Sequence, residues 1–464
     1  MENRVKNFFE ALKLKKVAFI GVGVTNTELI KLMAKKGIDV TLCDKKTGEQ
    51  LGEIYTELEA MGVKFDLGEN YLAQLTHYDV IFRAPGVYFL KPELIAARKA
   101  GVAVCSEMEV FFELCPCKKY AVTGSDGKTT TTTLIAEMLQ AEGKTVHIGG
   151  NIGRPLLCNI EEMRQEDFAV VELSSFQLLS MRQAADVAVV TNVAPNHLDV
   201  HGTMEEYIDA KKNIVAHQNA FSRTVLNLDN PVTKSFAELV RGDLNWFSRL
   251  EGVERGTFLD SEGYLCAVHG GDITRVFHKS DIRIPGVHNV ENYLTAIAAV
   301  WGEVTPEHMK QVAKSFAGVE HRIELVRELN GVSWYNDSIA SSPTRTIAGL
   351  NSFAEKLILI AGGYDKKIPY APLAPKITEK VKHLILMGAT AKKIEDAVTS
   401  CEGYTEGNPA IWHVESMEEA VEKAHELAAE GDVVTLSPAS ASFDKYKNFE
   451  ERGKHFKALV NALA

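Results

Sequence analysis

Residues Gly124-Ser125-Asp126-Gly127-Lys128-Thr129 have the chemistry of an anion cradle. Glycines let successive backbone N–H groups curl around phosphate oxygens, and a helix beginning near Lys128 would point its positive end at the same anion. Lys128 adds a full positive charge, and the Thr129 hydroxyl is a natural ligand for the Mg²⁺ that accompanies a nucleoside triphosphate. The usual phosphate loop has four residues between its glycines. This one has two, so the pattern alone also fits a glycine-rich turn at a helix start. Thr129–Thr133 are five consecutive threonines, a poor helix opening by propensity. Such a conflict between local preference and expected structure is what a functional site produces. A Mg²⁺-nucleotide site needs oxygen ligands from elsewhere in the chain. Glu172 ends the apolar run Phe168–Leu173, where its carboxylate would face the loop, although by itself it reads as a solvated strand end. A second apolar run, Val187–Asn192, leads into Asn192-Val193-Ala194-Pro195-Asn196-His197-Leu198-Asp199 and brings His197 to the same rim; a lone histidine is more often structural.

Nearer the start, Gly21-Val22-Gly23 follows the β-rich run Lys16–Ile20. A dinucleotide fingerprint would have a third glycine where Asn26 stands, which argues against a nicotinamide-dependent oxidoreductase. The unit can still hold another nucleotide's diphosphate, with Asp44, Lys45 and Lys46 at the next strand end.

The elements that must position these residues fall into three blocks, expected at residues 1–117, 118–319 and 320–464. The first reads strand, glycine turn, helix (about Thr27 to Lys36), strand (Ile38–Leu42), the start of a doubly wound α/β unit, with Asp79–Arg83 as a later strand before Ala84-Pro85-Gly86. In the second, Lys119–Val122 runs into the phosphate loop, a helix extends to about Glu142, and residues 245–285 suggest a small side sheet. The third alternates apolar strands (Lys356–Ala361, Val381–Met387, Val433–Leu436) with turns and helical segments. The fold expected is therefore α/β in three domains: a Rossmann-like domain, a central ATPase-type domain with the phosphate loop, and a second Rossmann-like domain. A chain of 464 residues has room for about three such domains.

Composition narrows the function. The net charge of −11 with no long basic run argues against nucleic acid as the main partner. No apolar run approaches the roughly 20 residues of a membrane span, and charges throughout the first twenty residues do not suit a signal peptide. Seven scattered cysteines do not form a disulfide framework. Cys115-Pro116-Cys117 lacks a partner pair of Cys or His at ligand spacing and reads as a reduced linker rather than a metal site. A cytoplasmic monomer acting on small molecules is expected.

Together these pieces resemble the Mur ligases over essentially the whole chain. Thr123-Gly124-Ser125-Asp126-Gly127-Lys128-Thr129-Thr130 looks like that family's short ATP loop, His288-Asn289-x-x-Asn292 like its segment approaching adenine, His321-Arg322 like the pair opening its third domain, and Asn336-Asp337-Ser338 like its nucleotide-contacting motif. Within the family, Glu172–Leu178, the Gly21–Thr25 turn and Leu436–Phe449 followed by Glu450-Glu451-Arg452-Gly453 are similar to the branch that adds D-glutamate to UDP-N-acetylmuramoyl-L-alanine in peptidoglycan synthesis. The C-terminal stretch argues against sibling ligases and folylpolyglutamate synthase.

The resemblance implies roles. ATP would meet Gly124, Ser125, Asp126, Gly127, Lys128, Thr129, Thr130, Asn289, Asn292, Arg322 and Asp337. Two Mg²⁺ ions would be held by Thr129 and Glu172 and by His197 and Lys211, the lysine carrying a CO₂-derived carbamate. The catalytic set would be Lys128, Glu172, His197 and Lys211. The uridine diphosphate would lie near Val24, Thr25, Asp44, Lys45, Pro85 and Gly86, with Asn151 on the muramoyl part. D-Glutamate would meet Ser341, Lys366, Ser442, Phe443 and Phe449, with Ser442 and Phe443 at a helix start. The chain departs from the family pattern at Ile339, Ser341 and Pro343, and Tyr364-Asp365-Lys366-Lys367 leaves both Lys366 and Lys367 open as the glutamate lysine.

Overall fold

The structure, a computed structural model, describes residues 2–195 and 201–464. Among these residues the strands form three sheets. The first contains β1 (Lys16–Ile20), β2 (Asp39–Asp44), β3 (Lys64–Leu67), β4 (Val80–Arg83) and β5 (Ala103–Cys105), in the order β3-β2-β1-β4-β5. All its pairings are parallel, as in a doubly wound sheet. The helix after β1 is Val24–Lys35, so it begins three residues before the expected Thr27. A further helix not expected from the sequence, Glu2–Leu12, precedes β1 and buries Val5, Phe9 and Leu12 at the spacing of one helical face.

The second sheet contains β6 (Lys118–Thr123), β7 (Val146–Gly150), β8 (Phe168–Glu172), β9 (Val187–Val190), β10 (Arg223–Asn227), β11 (Asp243–Ser248), β12 (Gly256–Leu259), β13 (Tyr264–His269) and β14 (Asp272–His278). Their order is β14-β13-β12-β11-β10-β9-β6-β8-β7. The expected side sheet over 245–285 is thus a correction: β11 pairs in parallel with β10, and the antiparallel β12-β13-β14 meander continues the same ladder to its edge. Every residue of β8 is buried, which explains its continuous apolar run: a central parallel strand is covered on both faces. The parallel order brings the C-terminal ends of β6, β8 and β9 side by side, where an open α/β sheet holds its ligand.

The third sheet contains β15 (Glu324–Leu329), β16 (Val332–Asn336), β17 (Leu357–Ala361), β18 (Val381–Leu386), β19 (Ala410–His413) and β20 (Val433–Leu436), in the order β15-β16-β20-β17-β18-β19. Its centre is parallel, with β15 antiparallel at one edge. The closing helix Phe449–Ala462 has Asn448 as its cap, accepting from the Glu451 N–H, and carries Glu450 and Glu451 in its positive first turn. The α/β class expected from the sequence holds. The chain divides into two compact units: one running to Lys279 and including Glu291–Val312, the other Ser280–Val290 with Ala313–Ala464.

Candidate active site

The phosphate loop leaves β6 and turns into the helix Lys128–Ala141. Two glycines make the turn possible. Gly124 has φ of 154°, and a Cβ there would lie 1.9 Å from the Thr191 hydroxyl. Gly127 sits at the helix N-cap with φ of 75°, and a Cβ there would lie 2.4 Å from Asn292 Oδ1. The N-cap residue is a glycine, with no side chain to accept from the helix's first N–H groups, an arrangement that suits an anion at this helix start. The loop is stiffened from behind by the segment after β9. The Asp126 N–H donates to Asn192 Oδ1 at 2.9 Å, the Thr191 hydroxyl to the Asp126 carbonyl at 2.6 Å, and the Ser125 hydroxyl to the Ala194 carbonyl at 2.8 Å. Lys128 bends back over its own loop, with Nζ at 3.1 Å and 3.0 Å from the Gly124 and Ser125 carbonyls. Thr130 is buried behind the loop.

Glu172 is only 1% exposed at the end of β8, which overturns its reading as a solvated strand end. Its Oε2 accepts from the Thr129 hydroxyl at 2.7 Å and its Oε1 from Asn151 Nδ2 at 2.8 Å. Thr129 and Glu172, expected to share one Mg²⁺, are therefore in direct contact, and their oxygens are the hard donors Mg²⁺ prefers; Asn151, expected on the muramoyl part, touches the same carboxylate. Lys211 lies on the helix Met204–Ala216, is 1% exposed, and donates to the Gly124 carbonyl at 2.8 Å and the Thr123 hydroxyl at 3.3 Å. Burial, reinforced by the Lys128 cation, lowers its pKa to about 7. A neutral amine here is a nucleophile; a charged one would repel a metal ion. His197 lies outside the described residues. Asn292, on the helix Val287–Val300, stands beside the loop, with Oδ1 3.3 Å from the Thr131 hydroxyl. Asn289 is buried in the first turn of that helix, its amide donating to the Pro285 carbonyl.

The family profile described as "Mur ligase MurD-like, N-terminal domain" matches residues 15–106, "Mur ligase middle domain" residues 122–300, and "Mur ligase, glutamate ligase domain" residues 321–440. The chain is 54% identical over 466 residues to the UDP-N-acetylmuramoylalanine--D-glutamate ligase of Acetivibrio thermocellus, covering 100% of both. It is 50% identical over 465 residues to the Ruminiclostridium cellulolyticum protein of the same name, again covering 100% of both. The chain belongs to the Mur ligase family. Among solved structures, UDP-N-acetylmuramate-alanine ligase MurC from Thermotoga maritima aligns with a TM-score of 0.58 at 18% identity, over 97% of this chain and 99% of that one. A pseudomurein peptide ligase type C from Methanothermus fervidus aligns at 0.52 and 17%, over 96% and 99%. These two likenesses concern the fold.

In this Mur ligase the first sheet presents a second turn. Asp44 is buried, its carboxylate accepting the N–H groups of Val22 at 2.7 Å and Lys46 at 2.9 Å, so it holds the Gly21–Gly23 turn. Asn26, in place of the third glycine, donates to the Gly21 carbonyl at 2.8 Å. Val24 and Thr25 open the helix beyond this turn, and Lys45 is exposed at the end of β2. Pro85 and exposed Gly86 lie on the neighbouring loop. That loop is gripped by Arg83, for which the sequence suggested no role. Its guanidinium donates to the carbonyls of Pro85 at 3.2 Å and Val87 at 2.8 Å, and reaches the Ser180 hydroxyl at 3.0 Å. Only the fold brings Ser180 to it, so no local spacing could have flagged the contact.

In the other unit Asp337 is buried, accepting from the Ser437 hydroxyl at 2.7 Å. Burial raises its pKa to about 7, against the nearby charges of Arg322 and Arg345. His321 and Ile323, flanking Arg322, have φ of 65° and 44°, a region costly for such side chains. Ser341 is half-buried just before the helix Pro343–Leu350. Lys366 is exposed in the turn after β17. Ser442 is buried and Phe443 is 62% exposed, its ring 5.9 Å from that of Tyr364. Here the sequence reading needs correcting: Ser442 and Phe443 sit on a turn closed by Lys445 and Tyr446 N–H groups donating to the Ser442 carbonyl, and the helix starts only at Phe449. Phe449 is thus the residue at a helix start. Arg452, quoted from the sequence without a role, buries its guanidinium against the carbonyls of Ser338, Ser440 and Ala441 and ties this turn to the Asn336–Ser338 strand end.

Proposed function

We propose that this Mur ligase joins D-glutamate to UDP-N-acetylmuramoyl-L-alanine at the expense of ATP. The observation that carries the reading is the convergence of Lys128, the Thr129–Glu172 pair and Lys211 at one phosphate-loop mouth. The choice of amino acid follows the full-length likeness to relatives whose names specify D-glutamate.

The substrate carboxylate attacks the γ-phosphate of ATP, giving an acyl phosphate and ADP. The D-glutamate amine then attacks the activated carbonyl, loses a proton, and expels phosphate to leave the amide. In the first step the loop N–H groups and Lys128 offset charge on the transferring phosphoryl group and hold the reactants in line. Thr129 and Glu172 fit one Mg²⁺, and the Lys211 carbamate with His197 would hold a second; these ions supply charge neutralisation as carboxylate meets phosphate. Carbamate formation requires the neutral amine, which a pKa of about 7 makes abundant. The sequence-matched roles of Asn151 on the muramoyl part, of Lys366, Ser341, Ser442, Phe443 and Phe449 on D-glutamate, and of Asn289, Asn292, Arg322 and Asp337 on ATP belong to this reading, as do the domain limits 1–117, 118–319 and 320–464, a monomeric state and a cytoplasmic setting. Among the described residues no helix is long and apolar enough to cross a membrane.

The test is phosphate release by the purified protein with ATP, Mg²⁺ and UDP-N-acetylmuramoyl-L-alanine, offering D-glutamate, L-glutamate, L-alanine, L-lysine and glycine in turn. Release with D-glutamate alone is expected. Release with another amino acid would keep the ligase chemistry and overturn the amino-acid assignment.

A further inference from the structure

Cys117, His147 and Asp167 come from three separate stretches of chain, yet their ligand atoms all lie within 4.8 Å of one another. Cys117 immediately precedes β6, Asp167 immediately precedes β8, and His147 is the second residue of β7. Because β8 pairs in parallel with both β6 and β7, the ladder itself brings the three to the N-terminal rim of the sheet. The phosphate loop leaves the opposite end of β6, roughly 20 Å away at about 3.3 Å per strand residue. The cluster is therefore separate from the ATP site.

Its surroundings suit an ion better than a chance polar contact. Cys117 and Asp167 are buried, at 3% and 5% exposure. His147 is half-buried, with its Nε2 2.9 Å from Asp167 Oδ2. The same carboxylate oxygen accepts the Arg164 N–H at 3.0 Å, which orients it, and the Cys117 thiol donates to the Arg164 carbonyl at 3.3 Å. One thiol, one imidazole and one carboxylate, oriented by a turn of backbone, are the mixed S, N and O donor set of a borderline-soft divalent ion.

We propose that Cys117 Sγ, His147 Nε2 and the Asp167 carboxylate form a binding site for a divalent transition-metal ion of the zinc type. The site clips the linker Cys115–Cys117, where the chain passes from the first sheet to the second, onto the rim of the second. On binding, Cys117 loses its proton to solvent and the sulfur bonds to the metal; His147 binds as the neutral imidazole, and nothing is oxidised or reduced. Chain separation explains why no ligand spacing is visible in the sequence: Cys117 and Asp167 each precede a different strand, and His147 lies in a third.

The full-length protein is stripped with chelator and titrated with Co²⁺, then Zn²⁺, while thiolate-to-cobalt absorption, bound metal per chain and thermal melting are followed. About one ion per chain, a thiolate charge-transfer band lost on adding Zn²⁺, and a higher Tm with metal are expected, because a ligand that binds only the folded state stabilises it. His147→Asn, at a half-exposed position that should tolerate it, should weaken Co²⁺ binding at least tenfold without lowering the metal-free Tm. Cys117→Ser should abolish the band. Absence of any thiolate band in the wild type would overturn the site, and so would unchanged Co²⁺ affinity in a folded His147→Asn protein. Phosphate release plays no part in the readout, so failure of the proposed ligase reaction would leave this result interpretable.

Discussion

Lys211 in one unit and Asp337 in the other are both buried ionisable groups held near pH 7, but they reach it from opposite sides. Burial lowers the lysine from 10.5 to about 7 and raises the aspartate from 3.8 to about 7. Their partners differ in kind. Lys211 faces a carbonyl and a hydroxyl, acceptors that suit an amine in either protonation state. Asp337 faces a hydroxyl donor and two arginine charges that favour the carboxylate. The first environment lets a cation discharge; the second keeps a carboxyl close to ionising beside positive charge. Poised groups of this sort are common where chemistry takes place.

The comparison is broken most severely at the loop that Lys211 leans on. Lys128→Ala removes the charge over the phosphate cradle and should lower the rate of phosphate release by about 10³-fold or more, in line with the loss of a preorganised phosphate contact. Its Tm should stay near that of the parent, because the Lys128 ammonium is only part-buried and water can replace it on the Gly124 and Ser125 carbonyls. Near-normal turnover would remove the loop from the mechanism. Lys211→Ala comes next, with an expected loss of about 10²-fold or more. Mass spectrometry of the native protein under CO₂ should show a 44 Da adduct (about the mass of CO₂) that the variant lacks. An active variant would sink the carbamate.

A smaller effect tests the opposite signs directly. In CO₂-free, metal-free buffer, where Lys211 is a free amine, the unfolded chain binds more protons there than the folded one between pH about 7 and 10.5, so stability should rise with pH, by at most about 1.4 kcal/mol per pH unit. Between 3.8 and about 7 the folded chain binds more protons at Asp337, so its contribution to stability should fall as pH rises. Denaturant midpoints across pH for Lys211→Met and Asp337→Asn should each lose one of these slopes and keep the other. Loss of both in one variant would mean the two groups are not independent.

How much of this could be read beforehand depends on whether the cause was local. The phosphate loop and Glu172 carry short patterns tied to a strand end and a helix start, whereas Lys211, in the middle of its helix, is assigned only through the family resemblance; the fold brings them together. The early helix start at Val24 was hidden because its cap, Gly23, makes no side-chain hydrogen bond. The true helix start near Phe449 does carry a local signal: Asn448 and Glu451 stand at capping spacing, and the Asn448 side chain accepts from the Glu451 N–H. The apparent side sheet over 245–285 had its strands recognised but not their partners, since the pairing of β11 with β10 is fixed by tertiary placement. Arg83, Arg452 and the Cys117–His147–Asp167 cluster depend on contacts from distant segments, for which a single sequence offers no signal.

The least expected change separates two neighbouring lysines. Lys366 and Lys367 are both exposed in the turn after β17, and the sequence pattern leaves either as the partner of a D-glutamate carboxylate. Their backbones differ: Lys367 has φ of 59°, and its N–H is held by Asp365 Oδ1 at 2.7 Å, while Asp365 is itself paired with Lys393. The Lys367 backbone thus serves the turn, while the proposed reading gives the substrate contact to the Lys366 side chain. Lys366→Ala should raise the KM for D-glutamate about tenfold with little change in KM for ATP, the loss of one exposed charge-assisted contact of roughly 1.4 kcal/mol. Lys367→Ala, which keeps the N–H bond to Asp365, should alter that KM less than about twofold, within the range of an exposed charge. If the two effects were reversed, the alignment would shift by one residue, and the left-handed backbone at Lys367 would be aiming a ligand-binding side chain rather than closing a turn.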